Sequence, residues 1–264
     1  MSAVPSPLNA PKGRPMSTSM VMDTAVVFGR ELRPVLRNPF SLVFTMVQPL
    51  FFLALFGPLL PDVPGGGSAL QWFVPGIIVM SCLFAGSTTG SNLQFEMQTG
   101  SHERTLVSPL RRSALIVGRS LKEIVPIVGQ AALIVAATVP FGFRPHLGGA
   151  VVGLLILGVF GVGLGAFSYT LALASKDQEW MFWAIQQTLI FPLMLLAGML
   201  LPVDDGPGWM QVLSKLNPLT YVVDAERALF GGELASATVA QGAVAALVVA
   251  GLGLLVGTRA MRRA

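Results

Sequence analysis

The sequence predicts an all-α integral membrane protein with six transmembrane helices and an N-terminal interfacial helix. Three observations carry that prediction. Of 264 residues, 53% are hydrophobic and 11% charged, against roughly 25% charged in a soluble domain. Six apolar stretches reach the roughly 20 residues a helix needs to cross the hydrocarbon core. Once these stretches alternate in direction, all 17 Lys and Arg residues except Arg144, Lys215 and Arg227 fall on one side. The positive-inside rule makes that side cytoplasmic, and an even number of spans leaves both termini there.

Residues 1–19 hold Pro5, Pro7, Pro11 and Pro15 and no apolar h-region. They read as a disordered cytoplasmic tail and not as a signal peptide. Residues 20–38 follow as an amphipathic helix. Val21, Ala25, Phe28, Leu32 and Val35 share one face, with Arg30, Arg33 and Arg37 elsewhere. That pattern suits a helix lying in the cytoplasmic interface, with an ordinary soluble amphipathic helix as the alternative.

The spans are expected near 40–60, 70–92, 124–143, 147–174, 180–201 and 235–258. Arg144-Pro145-His146 makes the third and fourth a tight helical hairpin. Residues 96–112 form a cytoplasmic loop, and 259–264 a short cytoplasmic tail. On the outer side, 202–234 is too polar to span. Trp209 and Tyr221 suit an interfacial belt there, and Asn217-Pro218 divides the segment into two short helices.

The pI near 9.7 reflects loop charges between apolar stretches rather than a nucleic-acid surface, so no nucleic-acid partner is expected. The single cysteine, Cys82, lies in an apolar stretch and is not expected to react. The sequence contains no G-x-x-x-x-G-K-[ST], no H-E-x-x-H and no G-x-S-x-G. No catalytic residues, metal ligands or bound cofactor are therefore expected. Charged residues avoid the span interiors, which removes the relay a proton-driven carrier needs. The spans hold small and neutral polar groups instead. Gly86-Ser87-Thr88-Thr89-Gly90 and Gly161-Val162-Gly163-Leu164-Gly165 permit close helix approach. Ser87, Thr88 and Asn92 in span two, and Gln186 and Gln187 in span five, must face protein or a cavity rather than acyl chains.

Three stretches carry a family resemblance: Glu31-Leu32-Arg33-Pro34-Val35-Leu36-Arg37-Asn38-Pro39; Gly100-Ser101-His102-Glu103-Arg104-Thr105-Leu106-Val107-Ser108-Pro109-Leu110-Arg111-Arg112 with Gly118-Arg119; and Leu216-Asn217-Pro218-Leu219-Thr220-Tyr221-Val222-Val223-Asp224-Ala225-Glu226-Arg227. In this order and topology, from about residue 20 onward, the chain resembles the permease subunits of type-2 ABC exporters, typified by daunorubicin-resistance permeases.

The resemblance implies a coupling helix in the 96–112 loop and short re-entrant helices in the outer cap. It implies two P-loop ATPase subunits that use ATP and Mg, a second identical or related permease, and the lipids of a bacterial plasma membrane. Arg37, Glu96, Gly100, Glu103, Arg104, Leu106, Val107, Pro109, Leu110 and Arg111 are the expected ATPase-subunit contacts, apolar anchors within a charged rim. Ser87, Thr88, Asn92, Gln186, Gln187, Phe191 and Met194 are assigned to the pathway or to a permease interface built from spans two and five. Asn217, Pro218, Tyr221, Asp224 and Arg227 form the outer cap, where Asp224, Glu226 and Arg227 favour a structural ion pair. The expected cargo is a hydrophobic or amphipathic drug, antibiotic or lipid moved outward. The alternatives are a polysaccharide-exporting permease and a membrane-embedded transferase using Asp204, Asp205 and Asp224.

Overall fold

The apolar runs fold into long helices because in lipid every backbone N–H and C=O must be satisfied within the segment. The computed structural model describes residues 19–37, 39–59, 69–107, 111–203 and 206–263. The expected tail before Ser19, residues Pro109 and Leu110, and the Asp204-Asp205 pair lie outside the described residues.

The helices in chain order are α1 (Met20–Arg37), α2 (Pro39–Phe56, followed by a 3-10 turn at Gly57–Leu59), α3 (Ala69–Gln98), α4 (Ser101–Leu106), α5 (Arg112–Leu121), α6 (Ile124–Thr138), α7 (Leu147–Ala174), α8 (Glu179–Leu196), α9 (Gly208–Leu216), α10 (Pro218–Phe230) and α11 (Ala237–Arg263). The six expected spans fall on α2, α3, α6, α7, α8 and α11. Among the described residues, Ala69–Gln98, Arg112–Phe141, Leu147–Ala174 and Ala237–Arg262 are long and apolar enough to cross a membrane, and Val43–Leu59 is a shorter apolar helix. Helix α8 is less apolar because it carries Glu179 and the Gln186-Gln187 pair.

α3 is the central element, buried along most of its length from Phe73 to Gln94. It packs against α7, which in turn packs most extensively against α11. Two glycines permit these close approaches. A Cβ at Gly90 would collide with the Ser168 carbonyl oxygen, and one at Gly163 would stand 2.7 Å from the Val249 and Ala250 backbone. The small-residue runs read from the sequence thus serve helix packing within this chain.

Three features differ from the expectation. The loop after span two contains a second helix, α5, which continues through a turn at Lys122 and Glu123 into α6. Residues 259–263 extend α11 instead of forming a tail, because Met261 is buried and its carbonyl accepts a 3.1 Å hydrogen bond from Arg112 Nη1. Helix α1 docks on α5 through Val27, which meets Gly118, and not through the apolar stripe. The stripe residues Val21, Ala25 and Phe28 instead join Val117, Leu121 and Val125 in an apolar groove of about 590 Å³. Pro34 is accommodated within α1 without ending it.

Candidate functional site

The chain's charged side chains gather at the basic end. Arg119, on α5, points inward because its flanking residues Leu115 and Ile116 pack in the core. Its guanidinium pairs with Glu96 of α3, stands 3.3 Å from Glu31 of α1, and donates a 3.4 Å hydrogen bond to the Tyr169 hydroxyl of α7. It also lies over the Tyr169 ring at 5.4 Å, within cation–π range. Arg30 extends the network, 2.8 Å from Glu31 and donating to Thr105 Oγ1 of α4 at 3.3 Å. Four helices therefore meet on one buried guanidinium, and a fifth is attached through Arg30. Burial opposes the charge of Glu31, but Arg119, Arg30 and Lys122 outweigh it and hold its carboxyl below the ordinary carboxylate value.

The expected ATPase-subunit contacts separate into two groups. Gly100 turns the chain from α3 into α4 with φ +65°, in the left-handed region glycine tolerates. Val107 is 86% exposed, and Arg37 and Arg111 are also exposed. The backbone of Arg111 is anchored by Asp23, whose Oδ2 lies 3.4 Å from its N–H. Glu96, in contrast, is engaged by Arg119 inside the chain. Glu103, Arg104 and Leu106 lie on α4, and their side chains lie outside the described residues, with Pro109 and Leu110.

The polar span residues also divide. Ser87 and Thr88 donate to the Leu83 and Ala85 carbonyls of their own helix at 2.9 and 2.7 Å. Ser168 of α7 donates to the Ser87 carbonyl at 3.0 Å and to Gln186 Oε1 at 3.4 Å, so Gln186 is turned into the chain. Met194 is buried as well. Asn92, Gln187 and Phe191 are exposed. Span two is therefore largely enclosed by its own chain, whereas α8 presents an open face.

At the opposite end, Asn217 fixes the break between α9 and α10. Its Oδ1 accepts from Leu219 N at 3.1 Å and its Nδ2 donates to the Leu193 carbonyl at 2.8 Å. Pro218 occupies the first turn of α10, where a missing N–H costs nothing. Tyr221 donates to the Lys215 carbonyl at 2.8 Å. Arg227 donates to the Trp72 and Gly198 carbonyls at 3.2 and 2.7 Å, pairs with Asp224 at 3.5 Å and stacks 3.8 Å above the Trp72 ring. The expected Asp224–Arg227 ion pair is present, but Glu226 takes no part in it. Glu226 is fully buried against Gly153, neither carboxyl oxygen has a hydrogen-bond partner among the described residues, and burial pushes its carboxyl up to about 8.

Sequence reasoning named Glu31, Arg119 and Glu96 separately but not their convergence. The available signal was three charges flanking spans in a chain with few. Arg30, Thr105 and Tyr169 had no individual signal.

Comparison with known proteins agrees with this architecture. The family model described as ABC-2 type transporter matches residues 22–230. A putative transport permease, ycf38, of Cyanophora paradoxa is 33% identical over 74% of this chain and 69% of its own length. The daunorubicin resistance ABC transporter permease protein DrrB1 of Streptomyces coeruleorubidus is 26% identical, covering 83% and 78%. A probable doxorubicin resistance ABC transporter permease protein, DrrC, of Mycobacterium tuberculosis is 23% identical, covering 88% and 85%.

Proposed function

We propose, from the premise that this chain belongs to the ABC-2 type transporter family, how its membrane permease fold is driven and what it moves. The chain works as one permease of a pair, crossing the membrane six times with both termini cytoplasmic. Separate P-loop ATPase subunits below it hydrolyse ATP with Mg. The cargo is a hydrophobic or amphipathic molecule, and it moves outward.

The observation that carries this reading is the Arg119 junction. A permease without its own motor needs a mechanical path from the surface that receives force to the spans that move. Arg30 links α4 to α1, and Arg119 links α1 to α3, α5 and α7. Ligand-driven closure moves a chain only when its contacts differ between the two states. The segment that changes is then α4 with Val107. The drug-resistance names of two relatives favour an amphipathic cargo over a glycan.

The test is co-expression with a P-loop ATPase subunit from the same genome, with Val107→Asp in the exposed turn. The expected outcome is recovery of a complex whose ATP hydrolysis depends on this chain, with Val107→Asp weakening assembly and substrate-stimulated transport. Full assembly and transport in Val107→Asp and Arg104→Glu would overturn the assigned contact. Robust enzymatic turnover by the isolated chain would favour the transferase alternative.

A further inference from the structure

Between α1, α2, α3 and the α5–α6 turn lies a cavity of about 240 Å³, where Thr45, Thr88, Asn92, Lys122, Glu123 and Gln130 are set in a wall completed by Val35, Ala85 and Pro126. The arrangement is unusual for a chain that is 11% charged. Lys122 and Glu123 have side chains only 4% and 1% exposed, and their closest approach is 3.6 Å. Charge-assisted bonds close to roughly 2.7–2.9 Å, so the ammonium keeps N–H capacity toward the cavity. Gln130, 2% exposed, donates its Nε2–H to Thr45 Oγ1 at 2.8 Å, while its Oε1 has no partner among the described residues. A buried amide oxygen left unsatisfied loses its hydration without recovering a hydrogen bond. The wall thus offers one donor set and one acceptor, both unfilled.

A second cavity of about 580 Å³ lies further along the same seam, bordered by Leu50, Leu53, Leu70, Ala137 and Phe141. Three helices give the same axis. Thr45 to Leu53 on α2 is about 12 Å at the helical rise, and Gln130 to Ala137 on α6 is about 10 Å. Helix α3 runs the other way. It brings Thr88 and Asn92 to the polar end and Leu70 to the apolar end.

We propose that this seam is a binding site for an uncharged amphiphile, its hydroxyl-bearing headgroup between Lys122 and Gln130 and its apolar tail in the cavity by Leu53 and Ala137. The donor inventory selects this class. A headgroup with several hydroxyls accepts from the Lys122 ammonium through one and donates to Gln130 Oε1 from another. A phosphate or carboxylate satisfies the ammonium only, stands beside Glu123, and leaves the amide oxygen empty. A quaternary ammonium donates nothing and meets Lys122 as a like charge. The surroundings are balanced: Arg30 and Arg119 face Glu31 and Glu96, and Lys122 faces Glu123. A charged headgroup would break that balance. The polar cavity is smaller than the roughly 300–1,000 Å³ of a whole drug-sized pocket, so it takes a headgroup and leaves the body to the second cavity. Use of the ligand as cargo rests on the transport reading above; its binding does not.

The test uses the full chain in phosphatidylcholine nanodiscs without ATP or partner. The probes are three photoactivatable amphiphiles sharing one diazirine-bearing alkyl tail, with glucoside, phosphate or phosphocholine heads. Labelled peptides are mapped by mass spectrometry. The glucoside is expected to label α2 and α6 at least five-fold more than the other two. Gln130→Leu should cut that labelling about five-fold, the loss of one hydrogen bond. Ala137→Trp, which fills the tail cavity and leaves the polar end intact, should abolish it. Equal labelling by all three heads, preference for the phosphate head, or glucoside labelling unchanged in Ala137→Trp overturns the site. A labelling result of either kind leaves the transport reading untouched, because no transport is measured.

Discussion

Replacing Arg119 with Met tests whether the junction at the basic end holds the helices together. The side chain is 4% exposed, and its partners Glu31 and Glu96 are 12% and 21% exposed. Removing one member of a buried ion pair costs about 3–5 kcal/mol, because the remaining charge stays buried without compensation. For a chain of this size each kcal/mol moves the unfolding midpoint by about 2–4 °C, so a fall of about 10 °C is expected. Cys82 is the single cysteine and is fully buried, so a thiol-reactive fluorophore reads unfolding of detergent-solubilised protein directly. The pH dependence supplies a second signature. In the wild type Glu31 is held below its ordinary value near 4.5. Its contribution is complete above that value and is lost as pH falls through the lower folded value. Without Arg119 the largest of the charges lowering Glu31 is gone, while Arg30 stays 2.8 Å away. The folded value of Glu31 then moves up toward its ordinary one, so the variant loses less stability than the wild type as pH falls. Arg119→Met with Glu96→Gln should recover part of the loss, since neither unpaired charge at that contact remains. A midpoint within about 2 °C of wild type at pH 7.5, or parallel pH profiles, would refute the reasoning.

Three further outcomes can be read with the same assay. Gly90→Ala should abolish stable expression or lower the midpoint strongly, because its Cβ meets a backbone oxygen that cannot rotate away, whereas Gly129→Ala, with nothing within 4 Å, should be neutral or mildly stabilising. Glu226 keeps its proton in the folded chain up to about 8, so stability should fall as pH rises from about 4.5 to 8 and level off beyond. Glu226→Gln should remove that slope and raise the midpoint at pH 8.5. Arg227→Lys keeps the charge but loses the planar stack on Trp72 and the forked donation, so a loss of about 1–3 kcal/mol is expected, with increased proteolysis between α8 and α10.

The span pattern was legible because hydrophobic length and loop charge are local properties. Helix α7 begins and ends where its apolar run does, and the Asn217-Pro218 break falls where side-chain capping and a missing N–H place it. What required the structure is pairing between distant segments. Periodicity marks an apolar stripe on α1, but it cannot tell whether protein or lipid covers that stripe. The structure puts Val27 and Glu31 on the protein side. Helix α5 was hidden because its strongly two-sided pattern sits directly before an apolar run and was read as loop charge. Glu226 reads as one more charge of the Asp224–Arg227 group, and only the close approach of Gly153 shows it turned inward.

The junctions also divide the chain into a firmly connected body and one lightly held helix, α8. Arg112 ties α5 to the end of α11, Arg119 ties α5 to α1, α3 and α7, and α7 packs tightly on α3 and α11. On the transport reading, force arriving at α4 is therefore delivered to all of these together, not to one span. Helix α8 is attached to that body through buried Phe182 and Met194 and through Gln186, and to the start of α10 through Asn217 and Thr220, and its other side exposes Trp183, Gln187 and Thr188. An exposed amide facing acyl chains has no hydrogen-bond partner, so on the transport reading a second permease covers this face. The consequence is testable in a Cys82→Ser background. Gln187→Cys should form a disulfide-linked dimer on mild oxidation, while Val151→Cys, on the exposed side of α7, should not. If both positions cross-link equally, or neither does, α8 is not where two copies meet. The polar residues on its open face would then need another protein to cover them.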